Sequence, residues 1–233
     1  MRYYDFSTKQ LEDKATELII DFDKERLTKT KPIDVYEVIE KCLNVPYDWK
    51  YLTPDQSVLG ATAFNSGYVW VWPESTYREG MMPFQIWAEK GTILIDATLT
   101  EGDNRGRENF TVMHEVFHQV LHKKCFRDEG NRYIHSTYKR TIDGNIRCVS
   151  YALKIIERQA NACAAAFLMP AKLVEKEYEE RYYSASNYTR SHYMFMDDLI
   201  KEMSVDFSVS KEAMMYRLKN LNIIDENEEN LLL

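Results

Sequence analysis

The sequence is poor in cysteine and contains no stretch suited to membrane anchoring. Its four cysteines, Cys42, Cys125, Cys148 and Cys163, lie far apart and form no CxxC pair. This spacing is typical of reduced thiols rather than a disulfide framework, so we expect no bridge. The N-terminus lacks the apolar core of a signal peptide, and no apolar run approaches the roughly 20 residues of a membrane span. We therefore predict a cytoplasmic protein that does not contact membranes.

The chain also lacks a surplus of positive charge. Its formal net charge is −7 and its pI about 5.4, values that oppose non-specific attraction to phosphate backbones. Direct nucleic-acid binding is therefore not expected. By contrast, 45% of the 233 residues are hydrophobic and 13% are aromatic, which argues against disorder. A chain of this length and composition can form a hydrophobic core without disulfide or metal cross-links.

The first hundred residues predict helices followed by strands. Apolar residues recur with a helical period over 8–27, where Thr8 could cap the helix, and again over 35–43. β-branched and aromatic runs follow at 58–64, 67–72 and 92–95. They predict a small, mostly antiparallel sheet in which an Asn-Ser-Gly turn closes the first two runs into a hairpin.

One face of the second strand run is strongly aromatic. Tyr68, Trp70 and Trp72 alternate with valines. Packing in the core is the simpler interpretation of this face. The functional alternative is a groove in which a peptide adds a strand to the edge of the sheet.

The main chemical signal is an HExxH motif, His114-Glu115-Val116-Phe117-His118, within an apolar run. On a helix, residues four apart share a face, so the two imidazoles can bind one metal ion. Glu115 is adjacent to the ligands and well placed to take a proton from water at the metal. This is the layout of a zinc peptidase, and the alternative is a core helix with hydrogen-bonded histidines.

A second helix, over 149–169, carries the candidate third ligand. It is rich in alanine and ends at Pro170, and Glu157 and Asn161 share one of its faces. A buried carboxylate needs a partner, and a metal ion suffices. His122 competes for this role, but on a helix it would lie about 12 Å along the axis from His114. We therefore predict Glu157 as the ligand, with His122 and Asn161 supporting the site or contacting substrate.

The segment between the two helices is predicted to be a long loop or insertion over 123–147. Cys125, His135 and Cys148 could be imagined as a second metal site. Their spacing fits no standard pattern, so a surface loop is the preferred interpretation.

The C-terminal part reads as a charged helix over 172–181, then a helix, a turn and a Ser-capped helix over 198–221. We predict a division into a domain at 1–190 and a C-terminal helical, helix-turn-helix-like segment at 191–233. Acidic residues outnumber basic ones there, so a structural or protein-docking role is favoured over DNA recognition.

With these residues assembled, the chain resembles the ImmA/IrrE family of metallopeptidases, bacterial and mobile-element proteins with a zincin-like fold. The resemblance rests on the HExxH motif with His122, on Glu157-x-x-Ala160-Asn161-Ala162 and the residues up to Pro170, and on Val209-Ser210 with Arg217-Leu218. It extends loosely from the first helices to about Ile224. Two positions depart from the family pattern and bear on the cleft: Phe117 stands where Gly is usual, and Met113 where a small residue is usual.

The resemblance implies an α+β, zincin-like fold, with zinc held by His114, His118 and Glu157 and with Glu115 as general base. It also implies the substrate class, helix-turn-helix transcriptional repressors. The rival hypotheses are an inactive, zinc-stabilised protein-binding module and a DNA-binding regulator acting through its C-terminal helices. The presence of Glu115 argues against the first hypothesis, since a structural zinc site needs no base. The surplus of acidic residues in the C-terminal helices argues against the second.

Overall fold

The computed structural model describes residues 4–102, 105–126, 151–185 and 192–225. Over these ranges it has a mixed architecture in which helices pack around two small sheets. Most of the predicted insertion lies outside the described residues, and so do two members of the imagined second metal site, His135 and Cys148. The acidic composition over 225–230 predicts a frayed tail, which apart from Asp225 also lies outside the described residues.

The chain opens with the two predicted helices. Helix α1 spans Thr8–Asp23 and buries Leu11, Ala15, Leu18 and Ile19. Its cap is Ser7 rather than Thr8, because Ser7 and Gln10 form a reciprocal capping box. Helix α2, Val35–Val38, continues into a π-helical turn, Ile39–Leu43, which ends at Asn44 in a left-handed conformation (φ 51°).

The strands pair differently from the prediction. Strands β1 (Tyr47–Lys50), β2 (Gly60–Thr62) and β5 (Ile93–Asp96) form one sheet in the order β1-β5-β2. The hairpin is formed by β3 (Gly67–Val71) and β4 (Phe84–Ala88). The predicted hairpin between the first two runs is therefore wrong: β2 is antiparallel to β5, and the Asn-Ser-Gly turn passes the chain to a separate sheet. Most pairings are antiparallel, as predicted, and β1 with β5 is parallel.

The aromatic face of the hairpin is exposed. Tyr68, Trp70 and Trp87 are 52%, 58% and 57% exposed, and the rings of Tyr68 and Trp87 pack edge to face. The opposite face, with Val69, Val71 and Ile86, packs against the three-stranded sheet. The interpretation of the aromatic face as core is therefore wrong.

The HExxH helix crosses the main core. Helix α3 spans Arg105–Phe117 and continues as a π-helical turn, His118–His122. The polar sequence up to Glu108 predicts a loop and a helix that starts at Asn109 or Phe110, but the residues from Arg105 onward already form the first turn of α3. Helix α4, Tyr151–Leu168, packs against both α1 and α3. Its small side chains Ala160 and Ala164, both fully buried, allow this close approach.

Three further helices complete the described chain: α5 (Ala171–Ala185), α6 (His192–Asp206) and α7 (Lys211–Asn220). Ser210 caps α7, as predicted. Residues of α6 and α7 share the main core with α1 and α3. Within the described ranges, no helix is both long and apolar enough to cross a membrane.

Candidate metal centre

Three side chains from helices α3 and α4 converge on one point. The Nε2 atoms of His114 and His118 are 2.9 Å apart. The carboxylate of Glu157 approaches them at 3.2 Å and 3.5 Å, respectively. Within the part of the chain that the structure describes, this is the one group of acidic, His or Cys side chains arranged to hold a metal ion.

The spacing of these three donor groups fits a tetrahedral cation. Ligand atoms about 2.0–2.1 Å from a zinc ion at tetrahedral corners lie about 3.3–3.4 Å from one another. The observed separations of 2.9, 3.2 and 3.5 Å bracket that value. Two imidazole nitrogens and one carboxylate are also a ligand set that zinc accepts in catalytic sites, with a fourth position left open.

The electrostatics favour a cation at the same point. Burial lowers the pKa of His114, but the carboxylates of Glu157 and Glu115 more than offset this, so the net pKa is raised. Burial raises the pKa of Glu157, yet its hydrogen bonds with His114 and His118 bring it down to about 2. The carboxylate is therefore ionised at neutral pH, and the negative charge that attracts a proton to His114 would equally attract a divalent cation.

Each histidine is oriented by a second contact. Nδ1 of His114 lies 2.8 Å from Oδ1 of Asn161, so an Nδ1–H donates there and, in the neutral ring, Nε2 carries the lone pair. Nδ1 of His118 lies 3.0 Å from Nδ1 of His122. His122 thus lies behind His118 and outside the three-residue cluster, while Asn161 lies behind His114. The ligand roles of His114, His118 and Glu157 stay predictions.

Glu115 lies beside the cluster without joining it. Its carboxylate accepts a hydrogen bond from the Thr62 hydroxyl on β2, at 2.7 Å, and the residue is 1% exposed. Gly60 on the same strand leaves the necessary space, because a Cβ there would lie 2.7 Å from Glu115 Oε1. No local sequence signal marks Gly60 or Thr62 as part of the site, because nothing in the sequence of β2 reveals that this strand faces the HExxH helix.

The walls of the site are apolar. The ring of Phe64 meets His118 edge-on, with centroids 6.3 Å apart, and stacks on Phe126 at 4.2 Å. Met113 and Phe117, the two departures from the family pattern, are fully buried in the main core, where Phe117 packs against Phe167. The larger side chains are therefore accommodated between the helices.

Comparison with known proteins agrees with this geometry. The sequence profile of a family described as the IrrE N-terminal-like domain, Peptidase_M78, matches residues 80–219, which is more than half of the chain and includes the whole metal cluster. No curated protein matches the chain.

Proposed function

The chain belongs to the IrrE N-terminal-like (Peptidase_M78) family, and on that premise we propose that it is a zinc-dependent endopeptidase. The observation that carries the proposal is the convergence of His114, His118 and Glu157 beside an independently anchored glutamate, Glu115. A structural zinc site is closed by four protein ligands and needs no base. Here the described residues supply three donors and a neighbouring carboxylate.

In the proposed reaction, zinc held by His114, His118 and Glu157 would supply Lewis-acid activation of water and of the substrate carbonyl. Glu115 takes the proton from the attacking water and delivers it to the leaving amine. Thr62 holds one Glu115 oxygen, so the carboxylate has a fixed orientation. The apolar wall formed by Phe64 and Phe126 lowers the local dielectric and strengthens the electrostatic interactions in the site.

We propose helix-turn-helix transcriptional repressors as the substrate class. This part of the proposal is supported by the resemblance of the motif residues to the ImmA/IrrE family. The alternative of a DNA-binding regulator is less well supported by the C-terminal helices. Arg217 is 5% exposed and paired with Glu12, and Lys211 is paired with Asp197, so neither presents a free cation to phosphate.

The test uses purified protein and the helix-turn-helix repressor encoded nearest its gene. We expect the wild type to cleave this repressor at defined bonds, mapped by mass spectrometry, and Glu115→Gln to bind zinc normally but lose about 10²–10⁴-fold in rate. Glu108→Gln is the matched control, because it neutralises a glutamate of the same helix that bonds to Tyr36 instead of facing the cluster. Equal cleavage by wild type and Glu115→Gln would refute the peptidase proposal.

A further inference from the structure

A chain of hydrogen bonds runs from the candidate metal centre to the segment that precedes α1. His118 Nδ1 lies 3.0 Å from His122 Nδ1, and His122 Nε2 lies 3.0 Å from Oε1 of Gln159. The amide of Gln159 then donates to the main-chain carbonyl of Tyr4 at 2.7 Å. Four residues from three separate parts of the chain are thus joined in series.

The contact with the Tyr4 carbonyl determines which atom donates and which accepts in every hydrogen bond of this chain. A main-chain carbonyl can only accept, so Gln159 turns its NH₂ group towards Tyr4 and its oxygen towards His122. His122 must then donate from Nε2, which in the neutral ring leaves Nδ1 as an acceptor. His118 must therefore donate from Nδ1. In the neutral ring, its Nε2, the atom that faces His114 and Glu157, then carries the lone pair that a metal ion would bind.

Burial stabilises this arrangement of donors and acceptors. His118 and Gln159 are 0% exposed and His122 is 1% exposed. Water cannot replace a missing partner there, so reversing any one link would place two donors or two acceptors face to face. The π-helical turn His118–His122 sets the two rings side by side, and such turns are rare and frequently coincide with functional sites.

We infer that His122 and Gln159 are positioning residues that, anchored on the Tyr4 carbonyl, hold His118 in the one tautomer able to bind a metal through Nε2. The inference rests on the proposed metal site but not on proteolysis. The segment before α1 then becomes part of the site, although Tyr4 lies more than a hundred residues from His118 in the sequence. Partners of this kind are worth about 10–100-fold in metal affinity.

Zinc affinity, measured by competition with a chromophoric chelator, tests the inference. We expect His122→Leu and Gln159→Met to weaken binding about 10–100-fold. His122→Gln should recover part of the loss, because its amide can accept from His118 and donate to Gln159. Gln119→Leu is the matched control, since Gln119 is a buried amide on the same helical turn that bonds instead to the Gly91 carbonyl. It should bind zinc as the wild type does.

The first part of a second readout uses the wild type alone. Nitrogen-15 NMR of the metal-free wild type, at a pH where the ring is neutral, should show His118 protonated on Nδ1. In His122→Leu the ring should shift towards the Nε2–H form. An Nε2–H wild-type ring, or unchanged zinc affinity in folded His122→Leu and Gln159→Met, would overturn the inference. Neither zinc affinity nor the His118 tautomer depends on proteolysis. If the protein proved not to be a peptidase, both measurements could therefore still support or refute this inference.

Discussion

Substituting Gly60 with alanine should disable the proposed general base without disturbing the metal ligands. A Cβ at this position would lie 2.7 Å from Glu115 Oε1, 2.9 Å from its Cγ and 3.0 Å from Thr111 Cγ2. Comfortable carbon contacts lie at about 3.5–4.0 Å. Because Glu115 is 1% exposed, its side chain cannot swing into solvent and must shift within the core.

The size of the effect follows from the size of this shift. Restoring normal contacts requires a displacement of roughly 0.5–1 Å, and a misplacement of about 1 Å can cost about 10²-fold in rate. Overpacking should also cost about 1–3 kcal/mol of stability. The three atoms nearest to the new methyl group belong to Glu115 and Thr111 rather than to His114, His118 or Glu157, so we expect zinc content to be unchanged.

The assay compares kcat/KM on the cleaved repressor, zinc content and unfolding free energy. Thr62→Val provides a second arm: it removes the hydrogen bond that holds Glu115 without crowding it, and it should also lower kcat. Ala61→Val is the matched control, because it enlarges the neighbouring residue on the face of β2 that packs away from Glu115. It should lose stability but keep activity. If Gly60→Ala retained the wild-type kcat/KM, the assignment of Glu115 as a positioned base would be wrong.

Three further results are expected. Glu157→Ala should lower zinc content about as much as His118→Ala, since each removes a proposed ligand; full zinc content in Glu157→Ala, measured by elemental analysis, would contradict the proposed site. Arg217→Met should destabilise the fold by about 3 kcal/mol in urea titrations, because it leaves the Glu12 carboxylate unpaired, and Glu12→Gln added to it should restore part of the loss. Cys163 should resist alkylation in the native protein at pH 8 and react once the protein is unfolded. Burial raises the pKa of its thiol to about 12, so the associated stability is present below pH 9 and lost as pH rises towards 12.

The clustering of His114, His118 and Glu157 could be predicted because these residues and Asn161 recur at helical spacing. His114 and His118 are four residues apart on one helix, and Glu157 and Asn161 are four apart on another, so each pair has to share a face. Only the packing of α3 on α4 was then needed to bring the two pairs together. The alanines of α4 indicated such close packing.

The strand pairing could not be predicted in the same way. The Asn-Ser-Gly turn is a strong local hairpin signal, but β2 gains more by pairing with β5, which is buried on every residue. The paired residues of β2 and β5 are more than 30 positions apart in the sequence, so this pairing leaves no local signal. The tight fit of Gly60 against Glu115 arises from the same long-range pairing, and for this reason no motif revealed it.

The C-terminal segment is connected to the site through the start of α3. A Cβ at Gly106 would lie 2.4 Å from the main-chain carbon of Val209, so only glycine permits the turn before α7 to pack this closely on the helix. Asn109 adds a hydrogen bond from its side chain to the Ser208 carbonyl, at 2.9 Å. Helix α3 is therefore fixed by this turn at its beginning and by Thr62 at Glu115. A helix that presents both histidines of the cluster and Glu115 is supported in this way at both places, which gives the turn before α7 a structural role independent of DNA.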